Sequence, residues 1–96
     1  MASKIQNKLL KELRARKIFG MSINASGVSR VGMPDVIIFP GFGRAVFVEV
    51  KEKGDRLSDI QIDTIDMLKK LGHIVFVMTN TNQLIELLTL IETIRE

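Results

Sequence analysis

Three charged side chains carry most of the chemistry open to this sequence: Asp35, just after Pro34, and Glu49 and Lys51, separated by Val50. Carboxylates are hard oxygen ligands suited to Mg²⁺ or Mn²⁺. A cation held by such a pair polarises a phosphodiester and lowers the pKa of a water. An ammonium group beside it orients that water or offsets charge developing in the transition state. Composition excludes several other chemistries. There is no cysteine, hence no disulfide scaffold, thiolate zinc site or cysteine nucleophile. The single histidine, His73, lies between Gly72 and Ile74 and reads as a turn or surface residue. That leaves no histidine for a general base or a zinc site. Gly41-Phe42-Gly43 lacks the Lys-Ser/Thr and the helix that follow a phosphate loop, so it reads as a hairpin turn. The five methionines read as core filler.

Two strands must bring the three charges together. Residues i and i+2 of a strand share one face, so a strand over 45–51 sets Glu49 and Lys51 on the same side. Ala45, Val46, Phe47 and Val48 before them are apolar. Opposite charges ending such a run are costly to bury unless paired or metal-bound. Residues 35–39, rich in Val and Ile, read as the neighbouring strand. Pro40-Gly41-Phe42-Gly43 is a turn signal and predicts a hairpin loop of four or five residues. The turn lies at one end of this hairpin, so Asp35 and Glu49–Lys51 meet at the other.

The remaining pattern supplies the frame. Ile5, Leu9 and Leu13, with Leu10 beside them, predict a helix over 3–17, capped by Ser3 and ended by Gly20. Residues 21–24 read as a short strand, 26–32 as a Ser/Gly loop and 52–57 as a charged loop. Ser58 begins a helix running to about residue 71. Asp59 suits its first turn, Ile62, Ile65, Met67 and Leu68 its inner face, and Gly72 its stop. The apolar run 74–78 reads as a strand buried on both faces, and 82–95 as a last helix. The order α-β-β-β-α-β-α implies a parallel pair with a right-handed crossover, within an α/β fold of one mixed sheet flanked by helices. With 96 residues and no repeat or linker, 1–96 is expected to be a single domain. The last helix carries Leu84, Ile85, Leu87, Leu88, Leu90, Ile91 and Ile94. Such a wide stripe is accounted for either by a homodimer interface or by the helix pressing into its own core.

Hydrophobic residues are 46% and charged residues 26% of the chain, an ordinary globular balance. No apolar run approaches the ~20 residues needed to span a membrane. The first ten residues, interrupted by Lys4, Gln6, Asn7 and Lys8, do not form a signal peptide, so a cytoplasmic location is expected. The net charge of +3 is unevenly spread. Residues 1–30 carry Lys4, Lys8, Lys11, Arg14, Arg16, Lys17 and Arg30 against Glu12 alone. A basic N-terminal third is either a solvated helix face or a surface for a polyanion. Lys4, Lys8 and Lys11, with Arg14 and Lys17, are candidate phosphate contacts that confer affinity without sequence preference. Arg30, in the loop before Asp35, is either solvent-exposed or a clamp on a phosphate.

Pro34-Asp35 followed by Glu49-Val50-Lys51 resembles the PD-(D/E)xK nuclease signature. Arg30-Val31-Gly32-Met33-Pro34-Asp35, Glu49-Val50-Lys51-Glu52, Gly54, Leu57-Ser58, Gln61 and Leu71-Gly72 together resemble the VRR-NUC (virus-type replication-repair nuclease) subfamily. The resemblance implies a restriction-endonuclease-like core and a Mg²⁺- or Mn²⁺-dependent DNA endonuclease. Asp35, Glu49 and the backbone carbonyl of Val50 would hold metal, Lys51 would act on the attacking water, and Gln61 would stand near the site. Compact members of the subfamily are similar to virus-encoded homodimers that act on branched DNA such as four-way (Holliday) junctions, which would set the protein in host-cell cytoplasm. Others are domains of DNA-repair nucleases. One position departs from the pattern: Ala2 or Ser3 stands where the family has an acidic residue at the start of the first helix. The alternative reading is therefore a DNA-binding module that has lost catalysis.

Overall fold

A computed structural model describes residues 3–23, 31–52 and 54–95. The elements are α1 (Lys4–Ala15), β1 (Phe19–Ser22), β2 (Val36–Gly41), β3 (Arg44–Val50), α2 (Asp59–Lys70), β4 (Ile74–Met78) and α3 (Gln83–Arg95). They form one mixed sheet in the order β1-β2-β3-β4, with β1–β2 and β2–β3 antiparallel and β3–β4 parallel. This is the α/β architecture expected from the element order, with α2 as the crossover between the parallel strands.

Strand alternation divides the side chains between two faces. Val36 and Ile38 of β2, Val46 and Val48 of β3 and Met78 of β4 are buried against Ile5, Leu9 and Leu13 of α1 and Leu84, Leu87, Leu88 and Ile91 of α3. This core lies between the sheet and two helices. The other face carries α2, which buries only Thr64 and Ile65. Ile62 and Met67, expected inside, are exposed, as are Ile60 and Leu71. A helix alone on that side of the sheet has no neighbouring helix to cover its flanks. The run 74–78 is likewise half-buried rather than enclosed, because β4 is an edge strand. The α3 stripe is taken up by its own core, and Ile85 is its large hydrophobic residue left exposed.

Three local details depart from the sequence expectation. Helix α1 ends at Ala15, two residues early. The Ile18 N–H donates to the Leu13 carbonyl and the Lys17 N–H to that of Arg14, while Lys17 takes a left-handed φ of 58°. This is a Schellman stop with lysine where glycine is usual. Gly20 instead lies in β1, where an added Cβ would sit 2.7 Å from Leu13 Cδ1. The β2–β3 loop is two residues, not four or five: Gly41 pairs with Arg44, and Phe42 and Gly43 both have positive φ, as a type I′ turn requires. The ladder shifts register between Ile38 and Gly41, around Pro40, which has no N–H to give it.

Candidate active site

The hairpin register sets the site. Val36 pairs with Val48, so Asp35 falls opposite Glu49 where the antiparallel pair ends. The Asp35 backbone is held from both sides: its N–H donates to the Val48 carbonyl (3.0 Å), and its carbonyl accepts from Ile23 (2.8 Å). One carboxylate oxygen, Oδ2, accepts the Val50 N–H at 2.8 Å. The Lys51 N–H donates to the Met78 carbonyl of β4 (2.8 Å). Four hydrogen bonds thus fix the two strand ends that carry the acids.

Glu49 lies on the α2 face and is 2% exposed. Its Oε1 accepts from Gln61 Nε2 at 3.3 Å and lies 3.9 Å from Lys51 Nζ. Its Oε2 is buried with no hydrogen-bond partner among the described residues. Asp35 is close enough to hydrogen-bond Glu49, but two carboxyl groups bond to each other only through a proton. Burial, then the hydrogen bond and charge of Asp35, push the Glu49 carboxyl up to about 8; the Lys51 ammonium opposes them and does not win. A buried Glu49 beside a half-buried Asp35, with one lysine and an unpartnered oxygen, is short of positive charge. A divalent cation would supply that charge and would find a ligand in the free oxygen.

Gln61 reaches Glu49 because of how α2 begins. Ser58 Oγ accepts the Gln61 N–H (3.2 Å), and Gln61 Oε1 accepts the Ser58 N–H (2.9 Å), a reciprocal capping box. Ser58 is legible in the sequence as a cap. Its link to Glu49 through Gln61 is not, since that depends on where α2 lies on the sheet. Gly32, part of the motif the sequence offers, owes its place to packing that the sequence does not show. Its φ is +89°, and a Cβ there would fall 2.3 Å from Ile60 Cγ2 and 3.1 Å from the Ile60 carbonyl. The backbone before Pro34-Asp35 therefore runs directly against the first turn of α2.

The expected residues are partly gathered. Asp35, Glu49, Lys51 and Gln61 meet in one cluster, and Val50 joins it through its backbone N–H. Lys4, Lys8 and Lys11 lie on the solvent side of α1. Gln6 Nε2 donates to Ser22 Oγ (3.1 Å), tying the first turn of α1 to the end of β1 nearest Asp35, so Lys4 is at the site end and Lys11 further along. Arg30 and Ala2 lie outside the described residues. Ser3 Oγ accepts the Gln6 N–H as the α1 cap. Among the described residues no group of three or more His, Cys, Asp or Glu is placed to hold a metal.

Comparison with known proteins bears on these residues as a set. A search of curated proteins gives no match. The chain is similar to a solved structure described as a VRR-NUC domain, with a TM-score of 0.75 and 24% sequence identity over 90% of this chain and 91% of that one, a likeness of fold. The profile of the VRR-NUC domain matches residues 2–82, a span that takes in Asp35, Glu49, Lys51 and Gln61. This chain therefore belongs to the VRR-NUC domain family, a family of nucleases.

Proposed function

We propose that the protein is a Mg²⁺- or Mn²⁺-dependent DNA endonuclease that hydrolyses phosphodiester bonds at the Asp35–Glu49–Lys51 cluster. The observation that carries this reading is the buried Glu49, with Oε2 unpartnered and Asp35 alongside. The donor set fits a hard cation: two carboxylates, with the Val50 carbonyl as a neutral oxygen. When bound, the cation supplies Lewis acidity to the phosphodiester and lowers the pKa of a water. Asp35 and Glu49 hold it, and Gln61 orients the Glu49 carboxylate. The Lys51 ammonium, 3.9 Å from Glu49 Oε1, is 18% exposed and positioned to orient the attacking water and to offset charge on the phosphate. Lys4, Lys8 and Lys11 contact phosphates, and Arg30 clamps the strand to be cut.

We further propose a homodimer that presents two such sites to branched DNA. Its supporting observation is the exposed apolar surface of the α2 side, where Phe19 stacks on Phe39 at 5.4 Å and Met21, Ile62 and Met67 are uncovered. The last helix is the weaker candidate, since Leu84, Leu87, Leu88 and Ile91 of its stripe are buried within the chain and Ile85 alone of its large hydrophobics is exposed. A Phe39→Glu change would shift the sedimenting mass from dimer to monomer; a wild type that sediments as a monomer rules the dimer out.

The test is cleavage of a labelled four-way junction, flap and duplex with Mn²⁺ and with EDTA. Metal-dependent cutting that disappears in Asp35→Ala and Glu49→Ala is expected. Cutting that persists in both overturns the assignment. A second reading, a DNA-binding module without turnover, is favoured by the start of α1, where Ala2 or Ser3 stands in place of the family's acid and the Ser3 hydroxyl is engaged as a cap. It predicts DNA binding and no cutting in any metal.

A further inference from the structure

We propose that Ser58 is a positioning residue for the cation site, acting through Gln61 on Glu49; this rests on the metal-dependent reading of that site. The geometry is a relay of three short contacts. Ser58 Oγ takes the Gln61 N–H and the Ser58 N–H donates to Gln61 Oε1. A carboxamide whose oxygen is engaged by a backbone N–H has only its NH₂ left to turn toward a neighbour. That NH₂ donates to Glu49 Oε1 at 3.3 Å. Removing Ser58 Oγ leaves the N–H of residue 58 in place but frees the Gln61 N–H; the first turn of α2 then loosens, and the carboxamide is no longer held with its NH₂ toward Glu49. With the cap, Glu49 Oε1 is occupied by a donor and Oε2, buried and unpartnered, is kept for the cation.

The relay also explains the unusual division of labour in this cap. Ser58 and Gln61 are both near solvent, where a capping box ordinarily serves the helix alone. Here the second donor of the same carboxamide reaches a side chain that is 2% exposed. Groups that orient a metal ligand in this way typically change metal affinity by roughly 10- to 100-fold when removed.

The experiment measures Mn²⁺ affinity by calorimetry, with urea unfolding alongside, for wild type, Ser58→Ala, Ser58→Thr, Gln61→Met and Glu49→Gln. Ser58→Ala is expected to bind Mn²⁺ roughly tenfold or more weakly, and Ser58→Thr, which restores the cap, to return within about threefold of wild type. Gln61→Met separates the site from the helix. Methionine keeps the backbone N–H that Ser58 Oγ accepts and brings no charge to the site, but it offers Glu49 no donor. Affinity therefore falls while the folding equilibrium shifts by no more than about fivefold, or about 1 kcal/mol. Unchanged affinity in Ser58→Ala or in Gln61→Met overturns the inference. Should Ser58→Ala fail to fold, Gln61→Met decides alone. Loss of Mn²⁺ binding in Glu49→Gln with none in Ser58→Ala defeats the relay and leaves the nuclease reading intact. Full binding in Glu49→Gln defeats both.

Discussion

Replacing Glu49 by glutamine should stabilise the metal-free protein while abolishing its metal response. The carboxyl is pushed from 4.5 to about 8, first by burial and then by Asp35. A raised acid pKa means that the fold favours the protonated form. Its stability is intact below the unfolded pKa near 4.5 and falls as pH climbs through about 8. Fully developed, the penalty is about 5 kcal/mol, and at pH 7 it is roughly 3 kcal/mol. Glutamine has the same shape and does not ionise. The variant's stability minus that of wild type should thus be small at about pH 4.5, about 3 kcal/mol at pH 7 and level above about pH 8.5. Urea unfolding across this range in EDTA measures it, and taking the difference cancels the titration of other carboxyls. Mn²⁺ at about 100 times its dissociation constant should return about 2.7 kcal/mol to wild type and nothing to the variant. A difference that stays flat with pH would refute the view that Glu49 is held as an electrostatically strained ligand.

Further substitutions separate the roles of the neighbouring residues. Lys51→Ala should slow cleavage about 100-fold or more while DNA affinity moves less than about threefold, since general acid–base and charge-stabilising groups act on the transition state; equal losses in single-turnover rate and binding would contradict that role. Gly32→Ala should cost about 1–3 kcal/mol in urea unfolding, because its Cβ meets Ile60 at 2.3 Å in a backbone with φ +89°, and trimming Ile60 to alanine in the same chain should recover the steric part. Replacing Lys4, Lys8 and Lys11 together by glutamine should lower the slope of log affinity against log salt by about one unit for each phosphate no longer neutralised; an unchanged slope would mean that this face of α1 is only solvated.

The part of the fold set by short-range pattern is readable from residue type and order. The apolar run 45–48, the i, i+2 spacing of Glu49 and Lys51 and the turn at Gly41-Phe42-Gly43 are enough to bring Asp35 to Glu49, and Ser58, Asp59 and Gly72 bound α2. What escapes is decided at longer range. The stop of α1 uses Lys17 in a left-handed conformation, for which the residue type gives no signal. The burial of 74–78 depends on β4 being an edge strand, and its apolar run looks the same in a central one. Ile62 and Met67 share a helical stripe with Ile65, but a lone helix on a four-stranded sheet buries only the middle of it. Nothing in the leucines of α3 distinguishes a partner chain from the chain's own core, and only the fold shows Leu84, Leu87, Leu88 and Ile91 packed with α1 and the sheet. Within the site, the acids and Lys51 are legible from type and spacing. The reach of Gln61 to Glu49 and the approach of Gly32 to Ile60 depend on where α2 comes to rest.

The role of Asp35 and Glu49 as the cation site is tested most directly by diffraction from crystals grown in Mn²⁺, with data collected at the manganese absorption edge. An anomalous peak bridging the Asp35 and Glu49 carboxylates, absent from crystals of Glu49→Gln, is the predicted result. Ordered carboxylates with no peak between them at saturating Mn²⁺, or the same peak in Glu49→Gln, would contradict it.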